Sequence, residues 1–167
     1  MSNTAEAGPV IREATSGDVH SVAQLIRRAF ADVARQFDLN AENCPSHPSL
    51  CRSSWVATDM GGGARYYLCL DGQELRGCYG LVKNHEHGCR LDKLAVAPEH
   101  QGRGTGTMLL EDARRRAAQA GAELLEVSIL YENSRLMRWY TRRGFELSGT
   151  ARYPHLPFTV GFLFADV

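Results

Sequence analysis

Apolar positions recur along this chain with two periods, and each change of period marks a new element. Residues 10–14, Val-Ile-Arg-Glu-Ala, read as an opening strand, and Thr15 to Asp18 form a polar turn with N-cap candidates. Over 19–34 the apolar residues Val22, Leu25, Ile26, Ala29, Phe30 and Val33 repeat at helical spacing. His20, Arg27, Arg28 and Asp32 fall outside that stripe, on the expected solvated face. Residues 37–51 lose all periodicity around two prolines, a loop leading into a helix with Trp55 and Val56 that ends near Gly61-Gly62-Gly63.

The second half of the chain is more regular. Residues 65–70 and 77–82 are β-rich and flank Asp71-Gly72, predicting a hairpin with a somewhat long connection. After a polar turn over 84–88, residues 89–96 make a third strand. A helix over 107–120 presents Leu110, Ala113, Ala117 and Ala120 on one face, with Arg114, Arg115 and Arg116 outward. A strand over 123–130, a short helix over 133–143, and strands over 145–151 and 156–164 follow.

Composition narrows the class without choosing a function. The 167 residues suit a single domain, 1–167, with its own core. Lysine plus arginine and aspartate plus glutamate both total 19, so no net field recruits nucleic acid or a membrane surface. Residues 1–10 have neither a basic nor an apolar run, so no secretion signal is expected, and a cytoplasmic location is the default. The five cysteines lack C-x-x-C spacing and read as structural thiols, with no metal site expected.

The informative stretch is 91–106, Leu-Asp-Lys-Leu-Ala-Val-Ala-Pro-Glu-His-Gln-Gly-Arg-Gly-Thr-Gly. Pro98 ends the strand because it has no N–H to give. Three glycines in five positions then lead into a helix. Strand, glycine-rich loop and helix N-terminus together aim backbone N–H groups and the positive end of a helix dipole at one spot, which suits a phosphate. The loop lacks the Gly-Lys-Ser/Thr of a P-loop, and its alternating glycines do not follow the dinucleotide fingerprint.

Gln101-Gly102-Arg103-Gly104-Thr105-Gly106 resembles the Q/R-x-x-G-x-G/A signature of the GNAT superfamily of acyl-CoA-dependent N-acetyltransferases. Some thirty residues on, the segment from Asn133 through Tyr140 to Gly144-Phe145 resembles that superfamily's second signature. The phrase Ala-Glu-Asn-Cys-Pro-Ser-His-Pro-Ser over 41–49 is further similar to an uncharacterised bacterial subgroup. The resemblance implies an α+β (α/β) acyl-CoA N-acyltransferase fold. Its mixed, mostly antiparallel central sheet has about seven strands, a splayed parallel pair formed by 91–96 and 123–130, and helices on both faces.

The same resemblance implies acetyl-CoA as cosubstrate. The backbone of Leu94, Ala95 and Val96 would hold the pantetheine arm and polarise the thioester carbonyl. The backbone of Gln101, Gly102, Arg103, Gly104, Thr105 and Gly106 would close on the pyrophosphate, with Gln101 or Arg103 adding side-chain contacts. Asn133 would touch the cofactor arm, or cap the short helix, or both. Tyr140 occupies the general-acid position. Thiol and tyrosine pKa values of about 8.5 and 10 make full proton transfer uphill by roughly 2 kcal/mol, so a strengthening hydrogen bond to the leaving sulfur is the safer role. The other reading of Tyr140 is a core tyrosine beside Trp139 and Phe145.

An alkyl ammonium with pKa about 10.4 must lose a proton before attack. Asp92, on the strand beside the thioester, is one candidate base; its alternative is a pair with Arg90, where many relatives carry glutamate. His47 and His155 are rivals, since histidine titrates near neutrality. Either can also line the acceptor pocket, and His47 can instead cap a turn. Leu136 replaces a small residue of the family. The function expected is transfer of acetyl to a primary amine, with a small molecule favoured over a protein acceptor and a homodimer possible. The competing class is a non-catalytic acyl-CoA-binding module of the same fold.

Overall fold

The computed structural model describes residues 7–167; residues 1–6, most of the segment on which the expectation about a secretion signal rests, lie outside the described residues. Seven strands form one sheet in the order β1-β2-β3-β4-β5-β7-β6. They are β1 (Val10–Glu13), β2 (Arg65–Asp71), β3 (Glu74–His85), β4 (Gly88–Val96), β5 (Leu124–Leu130), β6 (Glu146–Arg152) and β7 (Thr159–Asp166). Only β4 and β5 are parallel neighbours; every other pair is antiparallel. The fold is the expected mixed sheet with one parallel pair.

Helix α1 (Val19–Gln36) and helix α2 (Ser53–Gly61) cover one face of the sheet. Val22, Leu25, Ile26 and Val56 pack there against Tyr66, Leu68, Cys78 and Ala95. Each such aliphatic side chain contributes about 1.5–3 kcal/mol through its removal from water. Helix α3 (Thr105–Gln119) and helix α4 (Ser134–Thr141) cover the other face, where Leu109, Leu110, Ala113 and Tyr140 meet Tyr79, Leu91, Leu125, Val127 and Leu163. Gly77 in β3 lets α3 approach closely, because a Cβ there would lie 2.7 Å from Leu109 Cδ1 and 2.8 Å from the Ala95 carbonyl oxygen.

Several expectations need correction. The β2–β3 connection is not long: only Gly72 and Gln73 separate the strands, and β3 starts three residues before the expected Gly77. Helix α3 ends at Gln119, leaving Ala120 exposed. Arg27 is not simply solvated, since its Nη1 donates to the Cys51 carbonyl at 2.6 Å and ties α1 to the irregular loop. Nor do all three arginines of α3 point to water. Arg116 lies over the Tyr67 ring at 4.1 Å, and Arg114 lies over the Phe145 ring at 5.0 Å while donating to backbone carbonyls of Arg143 and Asp166. Their long stems reach back over neighbouring rings and carbonyls, a choice made by packing rather than by helical phase. The five cysteines are all buried free thiols, and burial pushes Cys78 up to about 12.

Candidate active site

Strands β4 and β5 pair from Gly88↔Leu124 to Leu91↔Val127 and no further. Beyond that point β4 stays with β3 and β5 stays with β7, so a wedge opens between them. The N–H of Ala97 donates to Arg76 on the β3 side at 2.8 Å. Successive amides of a strand face opposite edges, so those of Val96 and Leu94 face the wedge.

Where the wedge opens, β4 carries a bulge. Gly80 pairs with Asp92 and Cys78 with Ala95, so Lys93 and Leu94 together oppose the single residue Tyr79. Lys93 has φ 48, a left-handed conformation costing a non-glycine residue about 1–2 kcal/mol. Its Nζ lies 2.9 Å from Asp59 Oδ2 and 3.4 Å from Tyr66 Oη, and Tyr66 Oη donates to the same Asp59 oxygen at 2.7 Å. Burial and the Asp59 contact raise the Tyr66 pKa, which keeps it a donor. Nothing in the hydrophobic pattern signals this knot.

The chain leaves β4 through a 3-10 turn, Pro98–His100, whose buried His100 meets Glu74 Oε1 at 2.6 Å. Gln101 Nε2 then folds back on the Val96 carbonyl at 3.1 Å, bracing the loop instead of reaching outward. Gly102 (φ 74) and Gly104 (φ 86) take left-handed conformations, and no side chain caps α3 at Gly104. The first-turn amides of Thr105, Gly106 and Thr107 therefore remain free to bind an anion. Arg103 is exposed beside them. Gly106 has a different cause: a Cβ there would meet the Trp139 ring at 3.3 Å. Arg143 stacks 4.0 Å over that ring and donates to Thr107 Oγ1, locking α4 against the first turn of α3.

Asn133 caps α4, its side chain accepting from Leu136 N at 3.2 Å. Tyr140 is 4 % exposed, with Trp139 and Phe145 edge-on at 4.9 and 5.1 Å. Burial alone raises its pKa, and its hydroxyl makes no hydrogen bond within the chain among the described residues. Asp92 is gripped by Arg90, with Nε 2.8 Å from Oδ1 and Nη2 2.9 Å from Oδ2. His47 has the geometry of a cap: Nδ1 accepts from Ser49 N at 3.2 Å and faces Ser49 Oγ at 2.8 Å, while burial lowers its pKa. His155 is exposed in the β6–β7 connection, tilted against Tyr153.

A wedge between parallel strands, with an anion-receptive helix terminus at its mouth, defines an acyl-CoA-dependent transferase class. The chain belongs to the acetyltransferase (GNAT) family, whose model matches residues 23–145. The aminoalkylphosphonate N-acetyltransferase of Salmonella typhimurium is 29% identical over 143 residues, 83% of this chain and 85% of that one. Among solved structures, the ribosomal-protein-S18-alanine N-acetyltransferase of Escherichia coli superposes with TM-score 0.76 at 15% identity, covering 95% of this chain and 94% of that chain. The PaiA N-acetyltransferase of Thermoplasma acidophilum, solved with coenzyme A, gives TM-score 0.74 at 14% identity over 96% and 100% of the two chains. Among the described residues no helix is long and apolar enough to cross a membrane.

Proposed function

We propose that this chain transfers acetyl from acetyl-CoA to the primary amine of a small molecule, by direct attack within a ternary complex. The observation that carries the reading is the end of β4–β5 pairing at Leu91↔Val127, next to a helix capped only by Gly104. The residues fit the cosubstrate. Free amides of Thr105 to Thr107 meet its pyrophosphate, and Arg103 adds positive charge nearby. Amides of Leu94 and Val96 pair with the pantetheine arm as an added strand would, with Ala95 between them facing α1. One of these amides also stabilises negative charge developing on the thioester oxygen. Asn133 keeps its side-chain N–H groups for the same arm while its oxygen caps α4.

Tyr140 hydrogen-bonds the departing sulfur. Its raised pKa favours a hydrogen bond that tightens as charge develops over complete proton transfer. Asp92 takes the amine's proton from the α1–α2 face. Arg90 occupies one lone pair on each carboxylate oxygen, and each oxygen retains a second. Holding the amine against the thioester supplies much of the remaining rate. The name of the Salmonella relative supports a small aminated acid as acceptor.

Free-thiol release from acetyl-CoA, measured across 2-aminoethylphosphonate, amino acids, polyamines and a peptide N-terminus, tests the proposal. Turnover with a small amine is the expected result. Tight acetyl-CoA binding with no acetylated product from any of these amines makes the chain a binding module instead.

A further inference from the structure

We propose that Lys93 is a positioning residue whose tie to Asp59 and Tyr66 holds the β4 bulge in the shape that turns the Leu94 and Val96 amides into the wedge. The inference rests on the acetyl-CoA reading above and names the part of the chain that prepares the site.

Three observations converge on it. Bulges with a left-handed first residue ordinarily use glycine there, and this chain uses lysine at φ 48. The only other non-glycine residue with positive φ among the described residues is Asp38, an aspartate just past α1, of a type that tolerates the conformation through local hydrogen bonding. Lys93 has no such local relief, and its compensation comes from afar: Asp59 in α2 and Tyr66 in β2. Across the strand pair the structure has also made room. Gly80, the partner of Asp92, would carry a Cβ only 3.2 Å from the Tyr66 ring. The Tyr66 ring therefore lies close over Gly80 beside the bulge, itself 1% exposed.

The consequence is a change of phase along β4. Leu91 packs toward α3, and an unbroken strand would send residues 93 and 95 the same way. Instead Lys93 reaches α2, Ala95 packs with α1, and Leu94 and Val96 join the α3 side. One inserted residue reverses every later side chain and amide. Thus β4 keeps its ladder with β5 as far as Leu91 and offers free amides after it. The ammonium is tied to Asp59 and Tyr66, away from the wedge, and acts through the backbone it anchors.

The test compares two ligands by titration calorimetry: acetyl-CoA, and 3′-phosphoadenosine 5′-diphosphate, which carries the nucleotide end without pantetheine. Lys93→Met and Asp59→Asn are expected to weaken acetyl-CoA by about fivefold or more, the scale of one hydrogen bond, and to leave the nucleotide unchanged. Lys93→Gly is expected to return acetyl-CoA affinity to near wild type, because glycine adopts the bulge conformation without a tether. Unchanged acetyl-CoA affinity in Lys93→Met overturns the inference. So does a Lys93→Gly protein as weak as Lys93→Met, which would give the ammonium a direct contact. A wild-type protein that binds neither ligand removes the acetyl-CoA reading itself, a result distinct from either of these.

Discussion

Arg90 and Asp92 stand two residues apart on one face of β4, joined by two parallel hydrogen bonds of 2.8 and 2.9 Å. The grip fixes the carboxylate plane beside the opening of the wedge and raises the Arg90 pKa above its ordinary value. In the proposed reaction it also constrains Asp92, since only the lone pairs turned away from Arg90 remain for an amine. Asp92→Asn, which cannot take up the proton, should lower kcat/KM for the amine by about a hundredfold. Calorimetric affinity for CoA should not move. Full turnover in this variant hands the proton to another acceptor, with His155 the exposed alternative.

Tyr140→Phe separates chemistry from packing. Phenylalanine keeps the edge contacts to Trp139 and Phe145, so Tm and CoA affinity should match wild type. Thiol release should fall at least about tenfold if the hydroxyl meets the leaving sulfur, in line with loss of one donor to developing charge. Equal rates would make Tyr140 a core residue and nothing more.

At Gly104 the expected damage is conformational. Nothing lies within 4 Å of a Cβ built there, yet φ is 86. Gly104→Ala should cost about 1–2 kcal/mol of stability, the penalty of a Cβ at left-handed φ. It should also weaken CoA binding by about tenfold, the scale of one charge-assisted hydrogen bond lost as the first-turn amides tilt. CoA affinity at the wild-type value would move the diphosphate site elsewhere.

Asp112 provides a pH prediction. Burial raises its pKa, but hydrogen bonds from Tyr79, Arg116 and Arg115 outweigh that and hold the carboxyl below its usual value. A pKa lower in the folded than in the unfolded chain stabilises above the ordinary carboxylate range and loses that contribution as pH falls through it. Asp112→Asn should therefore lower stability at pH 7 by about 2 kcal/mol, with a shallower loss below pH about 4 than wild type. Denaturant melts from pH 7 to pH 3 measure both.

Much of this was legible along the chain because it is local chemistry. The stripe from Val22 to Val33, the proline that ends β4 and the glycine-rich run before α3 each act through neighbours in sequence. The two signatures around Gln101–Gly106 and Asn133–Phe145 pointed to the family for the same reason: one loop and one helix start carry them. Most misjudgements fell where distance mattered. Arg27, Arg114 and Arg116 found carbonyls, carboxylates and rings that helical phase does not reveal; the two-residue β2–β3 turn was a local miss, tighter than its composition implied.

The sequence by itself determined the periods, the breaks and the anion-receptive helix terminus, since backbone sterics and hydrogen-bonding capacity are written residue by residue. Only the tertiary structure decided that Lys93 would hold a glycine's conformation, and that β4 and β5 would part after Leu91. Those outcomes depend on Asp59, Tyr66 and Gly80, brought within a few ångströms by sheet pairing and helix packing. No window along the chain contains them all, so no local pattern could have announced them.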